Sequence, residues 1–206
     1  MSDNTGDSKI FGKHGGFEKL LSYQVAELLY DITMRFTPRY IPNHSRTRDQ
    51  MEQAARSGSR NISEGSIFSA TSKKLEMNLT NVARASLIEL KKDYAAFLRQ
   101  NRLPTWALQD PIRQELIDKR FKAVDEVARW GADVHRRTPE RSYAEIAGNI
   151  GLVYCMVAIG LLDRQLVRQA RDFEKNGGFS ERLYKTRKQS RDSEPPKPEP
   201  PQEPAA

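Results

Sequence analysis

A chain of 206 residues that is 37% hydrophobic and 30% charged is long enough for one sizeable core and has the polarity of long amphipathic helices with solvated outer faces. Its 34 Lys and Arg against 27 Asp and Glu leave a formal charge of +7 and a pI near 9.5, so an acidic partner, nucleic acid foremost, is a fair expectation. The single cysteine, Cys155 in the apolar run "GLVYCMVAIG", excludes an internal disulfide and reads as a small buried hydrophobe in a reducing compartment.

Residues 1–15 are polar, contain glycine and predict disorder, with no apolar segment resembling a signal peptide. The longest hydrophobic run, Ile150 to Leu162, is shorter than the ~20 residues of a spanning helix, so the expectation is a cytoplasmic protein without a membrane partner. Phe17, Leu21, Val25, Leu28, Ile32 and Phe36 recur at three-to-four-residue spacing and predict a first helix that Pro38 and Pro42 end. Thr47 and Gln50 have capping-box spacing. Behind them Met51, Ala54, Ala55, Gly58 and Ile62 form a narrow stripe of a second helix that stops at Gly65.

Thr71 or Ser72 caps a long third helix whose apolar face carries Leu75, Leu79, Val82, Ser86, Leu90 and Phe97 with their neighbours Leu87, Tyr94 and Leu98, and which runs to "NRLP". Asp110 followed by Pro111 starts a helix reaching about Gly131. Thr138 with Pro139, or Ser142 with Glu145, starts the last long helix. Its stripe is Ile146, Ile150, Val153, Val157 and Leu161, then Leu166 and Phe173, and "NGG" at 176–178 ends it. No alternating strand pattern and no internal repeat interrupts these helices. The sequence thus divides into the polar terminus 1–15, a helical body 16–178, a basic extension 179–193 and a Pro-rich tail 194–206 that predicts disorder.

The glycine- and serine-containing "RSGSRNISEG" lacks the lysine of a nucleotide-binding loop and follows a helix where such a loop needs a strand. Within it Arg56 and Arg60 lie one turn apart, available either to an intrahelical ion pair with Glu64 or to a phosphate. A denser basic signal runs from Arg164 to Arg191. Arg164, Arg168, Arg171 and Lys175 are spaced by four, three and four, on one helix face. Beyond them Arg182, Lys185, Arg187 and Lys188 interleave with Phe179 and Tyr184, a composition suited to holding phosphates while bases stack. The same cations also suit a solvated helix end or an acidic surface of a neighbouring protomer. Catalytic constellations are absent: His14, His44 and His135 fall in predicted loops or termini without metal-binding spacing, and Cys155 has no activating neighbour. The sequence implies no cofactor and no metal.

"QAARSGSRNISEGS" followed by "SKKLEMNLTNVARASLIELKKDY" resembles the four-helix-bundle family of proteins encoded in intervening sequences of bacterial large-subunit ribosomal RNA genes. A relative of that family is the accessory protein of diversity-generating retroelements. The resemblance covers about Phe17 to Trp106, is most specific at "NISEG", and extends in particular to a longer variant with a carboxy-terminal suffix. It implies an antiparallel up-and-down four-helix bundle, a homopentameric assembly and no enzymatic activity. The retroelement relative has a basic surface that partners a reverse transcriptase and nucleic acid, and with the basic segment of this chain the expectation is binding of nucleic acid, RNA in the first place, or recruitment of such an enzyme. The chain departs from the family by inserting Pro104 to about Arg141 before its last long helix.

Overall fold

A computed structural model describes residues 16–177 together with Tyr184, Arg187 and Lys188, and among the described residues it contains six α-helices and no strand. A short 3-10 turn, Phe17–Lys19, leads into α1 (Leu21–Tyr40), α2 (Arg46–Phe68), α3 (Lys73–Gln100), α4 (Pro111–Lys119), α5 (Val124–Arg137) and α6 (Tyr143–Asn176). The polar terminus 1–15 and the expected Pro-rich tail lie outside the described residues, as does most of the basic extension.

Local chemistry starts three of these helices where the sequence predicts. The Ser72 hydroxyl accepts the Leu75 amide at 3.2 Å, Asp110 accepts the Ile112 amide at 2.9 Å, and Ser142 accepts the Glu145 amide at 3.1 Å. Four other boundaries differ from expectation. Thr47 does not cap α2; Ser45, in extended conformation, accepts the Thr47 amide instead. Pro38 does not end α1, because a proline near the last turn removes only the bond to the Met34 carbonyl. The helix then closes two residues later with the Ile41 amide on the Thr37 carbonyl at 3.0 Å.

Gly65 does not end α2, which continues to Phe68. A β-carbon at Gly65 would stand 3.2 Å from the Glu76 carbonyl oxygen in the first turn of α3, so this glycine permits close backbone approach. The helix expected from Asp110 to Gly131 divides into α4 and α5 at Arg120, which adopts a left-handed conformation with φ 48°. The Glu126 carboxylate then accepts the Lys122 and Ala123 amides and re-initiates the chain as α5.

α1 packs on α2 and α6, α2 on α3, and α3 on α6, while α5 lies across α1 and α6 and α4 touches α6. Buried Leu29, Ile32 and Phe36 of α1 meet Met51 and Ile62 of α2, Leu87, Leu90, Tyr94 and Leu98 of α3, and Cys155, Ala158 and Leu162 of α6 in one core. Of the expected apolar face of α3, Leu87, Leu90, Tyr94, Phe97 and Leu98 are buried between two neighbouring helices, together with Ala83, whereas Val82 is exposed.

Polar contacts fix the register. Thr37 donates to Glu52 at 2.5 Å, Ser22 to Gln165 at 2.6 Å, and Gln169 to both Glu76 and Thr80 at 3.0 and 3.1 Å.

The inserted segment closes one end of the core. The Trp106 amide donates to Asn149 Oδ1 at 2.8 Å and its indole N–H to Glu145 at 3.3 Å. Its ring meets Trp130 edge to face at 6.5 Å, and the Arg141 guanidinium lies 5.7 Å above it. Trp130 sits inside α5, with its indole N–H on Glu115 of α4. By length and composition α6 could cross a membrane, and 67% of its most apolar stretch is buried against the rest of the protein.

Candidate nucleic-acid interface

One longitudinal stripe of α6 changes chemistry halfway along. Ile146, Ile150, Val153, Val157 and Leu161 are followed, at the same three-and-four spacing, by Arg164, Arg168, Arg171 and Lys175. The first three are buried and Val157 and Leu161 are half-buried, whereas all four cations are exposed. α5 explains the change: Gly131 lies against Ile146 and Ile150, and Asp125 in the first turn of α5 pairs with Arg35 of α1 at 2.6 Å. The stripe is apolar where α5 lies against it, at Ile146 and Ile150, and its cationic part is exposed.

The four cations keep their charge available. None of them pairs with a described carboxylate. Two acidic residues of α6 that could neutralise them are engaged by α3 instead, Asp163 by Arg84 and Asp172 by Lys73 at 3.5 Å. At ~1.5 Å rise per residue the row from Arg164 to Lys175 is about 16 Å long, enough to follow several consecutive phosphates.

The structure adds a cation that the sequence reading missed. The 3-10 turn and the start of α1 run beside α6, held by the Ser22–Gln165 hydrogen bond, so Lys19 joins Arg164 and Arg168 around a groove of about 390 Å3. Nothing in "GFEKLLS" marks Lys19; only the pairing of α1 with the far half of α6 brings it there. Next to it Phe17 and Tyr23 form an edge-to-face pair at 4.8 Å, both half-buried. The Tyr23 phenol is held above its ordinary value first by burial and then by the Glu27 carboxylate, while the Arg60 charge acts in the opposite direction.

Arg56 and Arg60 are exposed on α2, and neither forms the ion pair with Glu64 that their spacing allows. Arg60 instead stands near enough to Tyr23 to act on its phenol across the α1–α2 contact. Arg187, Lys188 and Tyr184 are helical and exposed. Arg182, Lys185 and Phe179 lie outside the described residues.

Elsewhere the described residues hold no cluster of three His, Cys, Asp or Glu side chains disposed around a metal position. His44 is exposed. His135 belongs to the last turn of α5 rather than to a loop, and its Nδ1 shares a 2.7 Å hydrogen bond with the Arg141 carbonyl. Cys155 is fully buried, which pushes its thiol well above the ordinary range and leaves little nucleophilic thiolate. Burial raises the Tyr154 phenol to about 12. Comparisons with family models, curated proteins and solved structures return no match to this chain.

Proposed function

We propose that the protein is a non-enzymatic, homo-oligomeric helical bundle that binds nucleic acid, RNA in preference, through the uncovered half of α6 and the extension that follows it. The observation that carries this reading is the row of four exposed cations on one helix face, without carboxylate partners among the described residues and extended sideways by Lys19. Such a row reads charge spacing rather than bases, so contacts are backbone-led and affinity falls with salt. The helix pairings α1–α2, α2–α3, α3–α6 and α6–α1 support an antiparallel up-and-down four-helix bundle, with α4 and α5 added at one end. The resemblance of "NISEG" and its flanks supports the same reading and the homo-oligomeric, pentameric assembly. Repetition of the cationic row around an assembly adds individually weak contacts through effective concentration.

Fluorescence anisotropy with a single-stranded RNA of mixed sequence tests the proposal. For four neutralised phosphates the logarithm of the binding constant falls with the logarithm of salt at a slope of roughly −3. Changing Arg164, Arg168, Arg171 and Lys175 together to Glu abolishes binding while leaving helicity intact. Unchanged affinity in that variant, or binding indifferent to salt, removes the site. Light scattering with an absorbance ratio on the freshly purified protein reports the oligomer and any co-purifying nucleic acid.

A second reading, an adaptor that recruits a nucleic-acid enzyme such as a reverse transcriptase, draws on the exposed Leu21, Ile67, Phe68, Val167 and Phe173. Recovery of one protein partner after nuclease treatment, with no RNA affinity in the isolated chain, favours it.

A further inference from the structure

Between α1, α5 and α6, on the covered half of the molecule, lies a cleft of about 240 Å3. Its walls are apolar: Ile32 and Phe36 from α1, Val127 from α5, and Ile146, Ala147 and Ile150 from α6. Its polar members are Arg35, Arg39, Tyr40 and Tyr143. Arg35 is already paired with Asp125 at 2.6 Å, whereas Arg39 is exposed, pairs with no described carboxylate, and stands close enough to Tyr40 for its charge to act on the phenol. Tyr143 is half exposed and stacks on His135 at 4.0 Å, which fixes its ring beside the opening.

The cleft exists because α5 bridges α1 and α6 without filling the space between them. Small residues, Ala128, Gly131 and Ala132, face it from α5 and Ala147 faces it from α6. We propose that this cleft is a binding site for a small amphiphilic carboxylate, a medium-chain acyl anion or its aromatic equivalent, with the apolar tail between α1, α5 and α6 and the carboxylate on Arg39.

Charge complementarity selects this occupant. Apolar walls alone accept any hydrocarbon, but Arg39, which lines the cleft and pairs with no described carboxylate, favours an anion there. Size sets the class: about 240 Å3 exceeds the roughly 150 Å3 cavity that encloses benzene and falls below the roughly 300 Å3 at which drug-sized pockets begin. The site is separate from the cationic row, since it uses the part of α6 that α5 covers, and it does not depend on nucleic-acid binding.

Calorimetric titration of the full-length protein with hexanoate, octanoate and decanoate tests the assignment, alongside the fluorescence of Trp106 and Trp130, which both lie at this end. Affinity is expected to rise about fourfold per added methylene, the ratio equivalent to about 0.8 kcal/mol, until the chain fills the cleft. Decanol is expected to bind at least tenfold more weakly than decanoate, and decyltrimethylammonium not measurably. Arg39→Glu, on an exposed side chain, reverses the preference between decanoate and the ammonium. Ala147→Leu shortens the longest chain accepted, and far-ultraviolet circular dichroism verifies that both variants are folded. Absence of saturable binding of decanoate to the folded wild-type protein overturns the proposal, and so does binding that neither variant alters. A dimer that protects the cleft from hydrogen exchange and that decanoate does not dissociate overturns it in favour of a second copy of the chain.

Discussion

The two ends of the helical body are built on different principles. At the end where α1 finishes and α6 begins, Phe36 meets Tyr40, Tyr94 and Phe97 with ring centroids 4.8–5.0 Å apart, and Trp106 and Trp130 close the core above them. Tyr94 is fully buried, and its hydroxyl shares a 3.0 Å hydrogen bond with Thr33. At the other end polar side chains are buried among apolar ones, with Ser22 on Gln165 and Gln169 on Glu76 and Thr80, and several large apolar side chains stand outside. The first end stabilises through apolar area removed from water. The second relies on hydrogen bonds whose net worth is smaller, and it displays the cations. Stability and display are thus assigned to opposite ends of the same helices.

Truncation separates the ends most sharply. Phe36→Ala is expected to lose about 3–5 kcal/mol of unfolding free energy, read from the shift of the urea midpoint, because the surrounding rings cannot collapse into the space. A loss near 1 kcal/mol would mean that the aromatic end is no better packed than the polar one. Gly65→Val comes next, at about 1–3 kcal/mol, since its branched side chain must displace the backbone of α3 at Glu76.

Gln169→Leu is expected to change stability by less than about 1 kcal/mol in either direction. Thr80 keeps its bond to the Glu76 carbonyl, Glu76 keeps Lys73, and Gln169 Oε1 is already buried without a partner. A loss as large as that of Phe36→Ala would dissolve the distinction between the ends.

The smallest effect belongs to Glu115, which ties α4 to α5. The indole N–H of Trp130 at 2.8 Å is the largest influence on its carboxyl; burial comes next and pulls upward, and Arg137 adds to Trp130 so that the carboxyl stays below the ordinary 4.5. A depressed folded value means that its contribution is complete above the unfolded value and disappears as pH falls through the folded one. Glu115→Gln is therefore expected to flatten the stability profile below about pH 4.5, by no more than about 1 kcal/mol. An unchanged acid limb would assign the bond no role in joining α5 to the core.

The division into helices was legible in the sequence because caps act locally: Ser72, Asp110 and Ser142 need only their own next turn to start a helix. What misled was punctuation whose meaning is tertiary. Gly65 resembles a stop until α3 is seen against it, and Pro38 resembles one until its late position in α1 is known. The break at Arg120 carries no glycine to announce it.

The cationic row was legible from its four-three-four spacing. Lys19 was not, because a contact between the first and last helices spans nearly 150 residues of chain. Periodicity shows that the cationic row continues the apolar row of Ile146 and Ile150, but not that α5 lies against the first part of it.

That α6 is one uninterrupted helix of 34 residues also offers a practical handle. Any molecule that grips its open half holds a rod whose other half is inside the core, so occupancy resists melting of the whole fold by mass action. At a hundredfold excess over the dissociation constant this linkage amounts to about 2.7 kcal/mol. For a chain of this length that is an upward shift of roughly 5–10 °C in melting temperature. A thermal screen can therefore search for ligands of the row without an assumption about their chemistry.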